Sequence, residues 1–282
     1  MPKINARIRG ALAAVAVLGD IDAMGSEESD LRIERRDGVL YVTIDRPEKR
    51  NALSRAVLDE LRRAFGAEAG DEGLTAAVLR GAGERSFAAG GDLRDLASVR
   101  SLAEATEMAE QAKAALEAIR RFPLPVVAAL NGDALGGGAE LAAACDFRVF
   151  DHHARIGFVQ GRLNITTAWG GGIDLIQLVG RARALRLLTR SELLDGPAAL
   201  EIGLADAVTA EDGDLDQTLA AFLEPMRGKA PQVMRAFKAL TLEQRQGTPR
   251  PELMALETRL FADAWVHPDH WAAADGILNK GS

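Results

Sequence analysis

The chain has 282 residues, 48% hydrophobic and 27% charged, a globular balance that argues against disorder and suffices for one large α/β domain or a domain with a smaller appendage. A net charge of −7 and a pI near 5.3 disfavour a nucleic-acid footprint, which needs a concentrated basic face. The single cysteine, Cys145, excludes an internal disulfide and fits a reducing cytoplasm, and four scattered histidines without His-x-x-x-His spacing argue against a metal site.

At the N-terminus Lys3, Arg7 and Arg9 precede an apolar stretch over 11–18, a faint outline of a signal or transit peptide. Asp20 and Asp22 follow, no small-x-small cleavage site is visible, and the stretch is too short to span a bilayer. Residues 1–24 therefore read as an extension outside the fold, with Met24 a natural start. Val39 to Ile44 reads as a strand closed by Arg46-Pro47. Ser54 is a candidate N-cap for a helix with Val57, Leu58, Leu61 and Phe65 on one face. A strand at Thr75 to Leu79 leads into a glycine-rich loop over 81–91. A long helix over 101–121 ends at Pro123 and Pro125, and a fully apolar strand follows at Val126 to Leu130. Then come a second glycine loop, a helical run Ala139 to Cys145, and a short strand at Phe147 to Phe150. Cys145 reads as a small buried side chain in that apolar run. Alternating strands and helices imply mostly parallel pairing. Beyond residue 210 only helices are expected, around 215–226, 231–246, 250–264 and 268–278, packed on the core or on a neighbour.

Both loops, Ser86-Phe87-Ala88-Ala89-Gly90-Gly91-Asp92-Leu93 and Ala134-Leu135-Gly136-Gly137-Gly138-Ala139-Glu140-Leu141, lie between a strand and a helix. Glycine admits close backbone approach, and a helix N-terminus presents unpaired N–H groups. Side by side, two such loops can aim two donors at one oxygen, as in an oxyanion hole. Either loop alone could equally need its glycines for tight packing. Gly81-Ala82-Gly83-Glu84-Arg85-Ser86 begins like a dinucleotide fingerprint but has serine at the third glycine and lies inside the chain.

Arg46-Pro47-Glu48-Lys49-Arg50-Asn51-Ala52-Leu53, Phe87 to Leu93, Asn131 to Leu141, Cys145-Asp146-Phe147-Arg148 and Gly196 to Asp206 resemble, in order and spacing, the crotonase (enoyl-CoA hydratase/isomerase) superfamily. The resemblance runs from about residue 31 to near the C-terminus. It implies an α/β fold, the crotonase (ClpP-like) spiral of ββα units, with a core at 25–210. A C-terminal helical region at 211–282 would assemble trimers or dimers of trimers. It further implies an acyl-CoA thioester as ligand and no cofactor beyond the CoA moiety, while the charge, the short apolar stretch and the single cysteine lead to the expectation of no nucleic-acid or membrane partner and a cytoplasmic location. Carried over by position, the oxyanion-hole N–H groups are those of Gly91 and Gly137. Ala89, with Ala52 and Gly90, falls where the family holds CoA. Lys49 or Arg50 falls near the CoA phosphates, or is a solvated surface charge.

Hydration of an enoyl thioester benefits from two carboxylates. Glu140 matches the family's first glutamate, although a first-turn glutamate also simply favours the helix dipole. The second falls at Gln160, whose amide orients water or a carbonyl but accepts no proton at neutral pH. One carboxylate beside an oxyanion hole suits decarboxylation of a malonyl-type thioester, which leaves an enolate without needing a strong base. Gly136 to Arg148, Ile156-Gly157-Phe158-Val159, Ala168-Trp169-Gly170-Gly171-Gly172 and Leu278-Asn279-Lys280 look like the ethylmalonyl-CoA and methylmalonyl-CoA decarboxylase branch. The expectation is a lyase acting on a short alkylmalonyl-CoA. A hydratase or isomerase using Glu140 alone, a non-catalytic CoA-binding protein and a nicotinamide oxidoreductase are the alternatives. Trp169 is expected to wall the acyl pocket or to fill the core. Thr166 and Thr167 are expected to cap a helix or bind a carboxylate, and Arg162 to form a surface ion pair or attract a substrate carboxylate.

Overall fold

A computed structural model describes residues 29–278, so the extension expected over 1–24 and the last four residues, including Asn279 and Lys280, lie outside it. The chain opens with a hairpin, β1 (Leu31–Arg36) and β2 (Val39–Ile44), paired antiparallel from Leu31↔Ile44 to Arg36↔Val39. Its two-residue turn, Asp37-Gly38, has positive φ at both positions (52° and 71°), which matches the twist of the flanking strands. α1 (Arg55–Glu68) starts where the Ser54 hydroxyl accepts the Val57 N–H at 3.2 Å, and its buried face includes Val57, Leu58, Leu61 and Phe65.

Three successive units then repeat one path. Each places a strand in a main sheet, a short strand in a second sheet, and then a helix. They are β3 (Ala76–Gly81), β4 (Ser86–Ala88) and α2 (Leu102–Arg120); β5 (Val126–Leu130), β6 (Asp133–Leu135) and α3 (Gly137–Ala144); and β7 (Phe147–Phe150), β8 (Arg155–Gly157) and α4 (Gly171–Val179). Next follow α5 (Arg181–Arg190), β9 (Leu194–Asp195), α6 (Gly196–Glu201), β10 (Ala207–Val208), α7 (Leu215–Arg227), α8 (Pro231–Arg245), α9 (Arg250–Trp265) and α10 (Pro268–Leu278). The main sheet has the order β1-β2-β3-β5-β7-β10 and the second β4-β6-β8-β9. Apart from the antiparallel pairs β1–β2 and β8–β9, every pairing is parallel. This is the ββα spiral with a helical C-terminal region.

β2 and β5 are buried along their whole length, as parallel strands covered on both faces must be. One face carries Val39, Tyr41, Val78, Val127 and Val149 against Leu215, Leu219 and Leu223 of α7. The other joins α1, α2, α3 and the second sheet in the larger core. Capping-box bonds between Ser101 and Glu104 start α2. By contrast, α9 and α10 bury no residue, and Met254, Phe261, Trp265, Trp271 and Ile277 on them are exposed.

Two motif blocks meet at Arg148, which is 1% exposed. Its guanidinium donates to the carbonyls of Leu204 (2.6 Å), Cys145 (2.9 Å) and Asp146 (3.2 Å) and to Asp206 Oδ2 (3.2 Å). The Asp206 carboxylate also accepts the Arg148 N–H at 2.8 Å. These bonds lock β7 to the turn before β10. Removing one member of so buried a set leaves its partners unpaired. Arg148→Met is expected to lower unfolding stability by about 3 kcal/mol, measured by urea titration; a loss under about 1 kcal/mol would contradict the assignment.

Cys145 is buried, its thiol donates to the Leu141 carbonyl, and burial pushes its pKa up to about 12. A thiol so held is a packing group. The native chain should resist a thiol-specific reagent at neutral pH and react only as it unfolds; stoichiometric labelling of folded protein would refute this.

Candidate active site

β4 and β6 pair in parallel, Ser86↔Asp133 and Ala88↔Ala134, so the chain leaves both strands at the same edge. The two turns that follow touch. A Cβ at Gly90 (φ +100°) would lie 3.0 Å from Leu135 O and 3.4 Å from Gly137 N. One at Gly138 would lie 1.9 Å from Ala88 O, so α3 abuts β4 with no space for a side chain. Leu53 pins the first turn from its other side: its N–H donates to Gly90 O at 2.8 Å and its carbonyl accepts Asp92 N–H at 3.0 Å. Between these fixed points the N–H groups of Gly91 and Gly137 donate to no protein acceptor among the described residues.

Both glycines line a cavity of about 340 Å³, within the range of small-molecule sites. Trp169, 6% exposed, walls it. A Cβ at Gly137 would fall 2.3 Å from Trp169 Cζ3, and one at Gly91 3.7 Å from Cζ2, so the indole covers both glycines. Leu93, Leu96, Met108, Val159, Leu163 and Ile165 complete an apolar lining. Trp169 both lines the cavity and belongs to the core.

Glu140, in the first turn of α3, is the only carboxylate in that lining among the described residues. Four donors converge on it. Gln160 Nε2 (2.9 Å) and Ala168 N–H (3.4 Å) reach Oε1, while Trp169 N–H (2.9 Å) and Gly171 N–H (3.0 Å) reach Oε2. The turn packs directly on the side chain, for a Cβ at Gly171 would lie 2.4 Å from Glu140 Cβ. Burial pushes the Glu140 pKa above the ordinary carboxylate range, and the four hydrogen bonds restrain that rise. Gln160 is buried too, and its Oε1 has no hydrogen-bond partner. Gln160, Glu140 and the two glycines thus meet in one cavity. The glutamate also has a role that composition and spacing did not suggest: it anchors the turn over 168–171.

Other expectations separate. Arg50, held at positive φ (53°), accepts the Ala89 N–H on its carbonyl at 3.1 Å and lines a second cleft of about 540 Å³. Arg85, Ala89, Leu135, His153 and Arg155 also line it, so Ala89 is common to both spaces. Lys49 is exposed, lines neither, and has no ion-pair partner among the described residues. Ala52 works through its backbone: its carbonyl accepts from Arg46, whose guanidinium also reaches Asp92 at 3.2 Å. Arg162 lines the cavity as its only cation among the described residues and donates to Ser191 O at 2.7 Å, not to a carboxylate. Thr166 lines the cavity, whereas Thr167 packs on Gly172, and neither caps α4 by a hydrogen bond. Gly81-Ala82-Gly83 leads into β4 and not into a helix, and Gly81 N–H donates to Asn131 Oδ1 at 2.9 Å. That removes the dinucleotide reading. Among the described residues one group with metal-ligand chemistry is close-packed, Asp151, His152 and His153, on the surface. Sequence reasoning missed Leu96, Met108 and Val159 as cavity residues, because nothing marks them as different from core.

The comparisons with known proteins agree with this geometry. The family model described as enoyl-CoA hydratase/isomerase matches residues 34–277. A probable enoyl-CoA hydratase of Bacillus subtilis is 30% identical over 242 residues, 86% of this chain and 93% of that one. An ethylmalonyl-CoA decarboxylase of Xenopus laevis is 31% identical over 231 residues, 81% of this chain and 76% of that one. The crystal structure of an enoyl-CoA hydratase from Bacillus anthracis superposes with a TM-score of 0.83 at 26% identity, covering 89% of this chain and 96% of that one. With the spiral fold, the paired glycine turns and the matched length all in place, the chain belongs to the enoyl-CoA hydratase/isomerase (crotonase) superfamily of acyl-CoA enzymes.

Proposed function

We propose that the chain is an acyl-CoA lyase that decarboxylates a short alkylmalonyl-CoA, with the N–H groups of Gly91 and Gly137 binding the thioester oxygen. The observation that carries this reading is the state of Glu140. It is the only carboxylate in the cavity lining among the described residues, and all four of its acceptor positions are taken by protein donors. A carboxylate so engaged is a poor base for activating water, and the second position holds an amide. Decarboxylation asks for neither base. The bond from Cα to the carboxylate carbon breaks, CO2 leaves, and the electron pair passes through Cα to the thioester oxygen, where two N–H donors stabilise it. One proton is then taken up at Cα from solvent. The apolar lining surrounds that enolate, and Arg162 attracts the substrate carboxylate. Ala89, Gly90 and Ala52 guide the CoA arm, and Arg50, with Lys49 beside it, faces its phosphates across the second cleft. No cofactor beyond the CoA moiety is needed. The exposed apolar side chains of α9 and α10 suit a homo-oligomer in which a second copy covers them.

A second reading, hydration or isomerisation of an enoyl-CoA with Glu140 as sole acid/base, is favoured by the hydratase names among the relatives. Ethylmalonyl-CoA and crotonyl-CoA separate the two. The expected result is CO2 release from the first and slow or no loss of enoyl absorbance from the second; the reverse pattern rejects the decarboxylase. Glu140→Gln places an amide NH2 against the Trp169 and Gly171 N–H groups, so CO2 release is expected to fall about 100-fold as the turn shifts. Unchanged rates on both esters would remove Glu140 from the site.

Gln160→Glu is the complementary change. It sets a second carboxyl against Glu140, where two charges in contact cannot both persist and one pKa rises. The variant is expected to lose CO2 release progressively as pH rises, because the added charge repels the substrate carboxylate. It should also gain hydration of crotonyl-CoA over the parent. Equal decarboxylation by variant and parent from pH 6 to 9 would show that position 160 does not face the substrate carboxylate.

A further inference from the structure

Trp169 is held from both sides of its peptide. Its N–H donates to Glu140, and its carbonyl accepts from Arg120 Nη2 at 3.0 Å. Arg120, the last residue of α2, is buried, and its Nε and Nη2 both donate to Asp174 Oδ2, at 3.0 and 2.8 Å. Asp174, in the first turn of α4, is buried as well, and its other oxygen accepts from Arg245 in the last turn of α8. One carboxylate thus serves two guanidinium groups. Arg120 also donates to the Trp169 carbonyl and lies, through Nη1, 3.6 Å from Glu117, which itself pairs with Arg121. The chain passes this cluster at Gly170, where φ is +91° and a Cβ would lie 2.8 Å from Arg120 Nη2. Arg120 reaches the carbonyl because position 170 has no side chain.

We propose that Arg120 is a positioning residue. Fixed by Asp174 and, through it, by Arg245, it holds the Trp169 indole over the Gly91 and Gly137 turns and so sets the acyl end of the cavity. The inference rests on the thioester reading of that cavity. Charge-assisted bonds to a buried carbonyl are among the stronger ones, and Trp169 has two such anchors, Glu140 on its N–H and Arg120 on its C=O. If Arg120 is lost, the peptide can rotate about the Glu140 contact and the ring leaves the glycines. The CoA arm lies outside this part of the cavity and does not sense the change. Through Arg245 the acyl end is tied to the C-terminal helices, which contribute no residue to the cavity lining.

Calorimetric titration of the full chain with butyryl-CoA and with free CoA tests this, since the two differ only in the acyl group. Butyryl-CoA has no carboxylate to lose and no double bond to hydrate, so the measurement is independent of which reaction the enzyme performs. Arg120→Met is expected to weaken butyryl-CoA about tenfold while free CoA stays within about twofold. Arg245→Gln should act in the same direction by about threefold, and added guanidinium should restore butyryl-CoA binding to Arg120→Ala. Equal weakening of both ligands, or none in a folded Arg120→Met, reduces the cluster to a structural ion pair and overturns the proposal. If Arg120→Met fails to fold, Arg245→Gln, whose side chain is partly exposed, supplies the same ratio: selective weakening of butyryl-CoA supports the proposal, and equal or no weakening overturns it. A parent chain that binds butyryl-CoA no tighter than CoA rejects the thioester reading, and the role of Arg120 with it.

Discussion

The site depends on one steric constraint, the contact between α3 and β4 at Gly138 and the Ala88 carbonyl. With a Cβ position only 1.9 Å from that oxygen, any side chain at 138 would force the two units apart. Parallel pairing of β4 with β6 brings the strand ends together, but pairing alone sets only strand spacing, near ~4.8 Å. The missing side chains at 90, 137 and 138 let the turns approach further and leave space for the indole of Trp169. The result is two N–H groups with no protein acceptor among the described residues, on two glycines that line one small apolar space. Unpaired buried donors are costly, and a site that retains them gains only if a ligand oxygen completes them.

Around that backbone device the charges are arranged to hold shape. Glu140 would be expensive to bury alone, yet three main-chain N–H groups and one amide surround it. Asp174 and Arg120 form the second such set, and Arg148 with Asp206 the third. Each joins elements far apart in the chain. Breaking one partner of such a set costs more than the pair contributes, because the other is left desolvated. Of the three sets, only Glu140 lines the cavity itself, and Arg120 touches its wall through the Trp169 carbonyl.

Much of this was legible in the sequence, and the reasons differ by element. Val39–Ile44, Val126–Leu130 and Phe147–Phe150 appear where apolar runs between turn signals place them, because buried parallel strands need apolar residues on both faces. β1 escaped because five of its six residues face water and its run Arg32-Ile33-Glu34-Arg35-Arg36 lacks a continuous apolar face. β4, β6 and β8 are three residues long, shorter than any periodic pattern, and β4 lies inside what reads as one glycine loop. Gly91, Gly137, Glu140 and Gln160 were legible together because motif order fixes their neighbourhood. Arg120 and Asp174 were not: 54 residues separate them, and each alone looks like an ordinary helix-end charge. Arg46 and Asn51 show the opposite case. Their block reads as a binding motif, yet Arg46 braces Ala52 and Asp92, and Asn51 donates to the carbonyls of Ala82 and Ser86.

The division of labour in this cavity explains how one fold can serve reactions with different proton requirements. In the proposed reaction, charge on the thioester oxygen is met by main-chain groups, which no side-chain substitution removes without moving the turns themselves. The side chains at 140 and 160 line the cavity from α3 and from the turn after β8, and of the two only Glu140 can exchange a proton at neutral pH. Exchanging a carboxylate for an amide at 160 leaves volume and hydrogen-bond reach nearly unchanged, so the fold tolerates it. It removes one charge beside Glu140, which eases the burial of that carboxylate, and it removes one base. On the proposed reading, such a site keeps its enolate stabilisation and loses its means of activating water. It then suits a reaction that forms the enolate from a group the substrate itself carries.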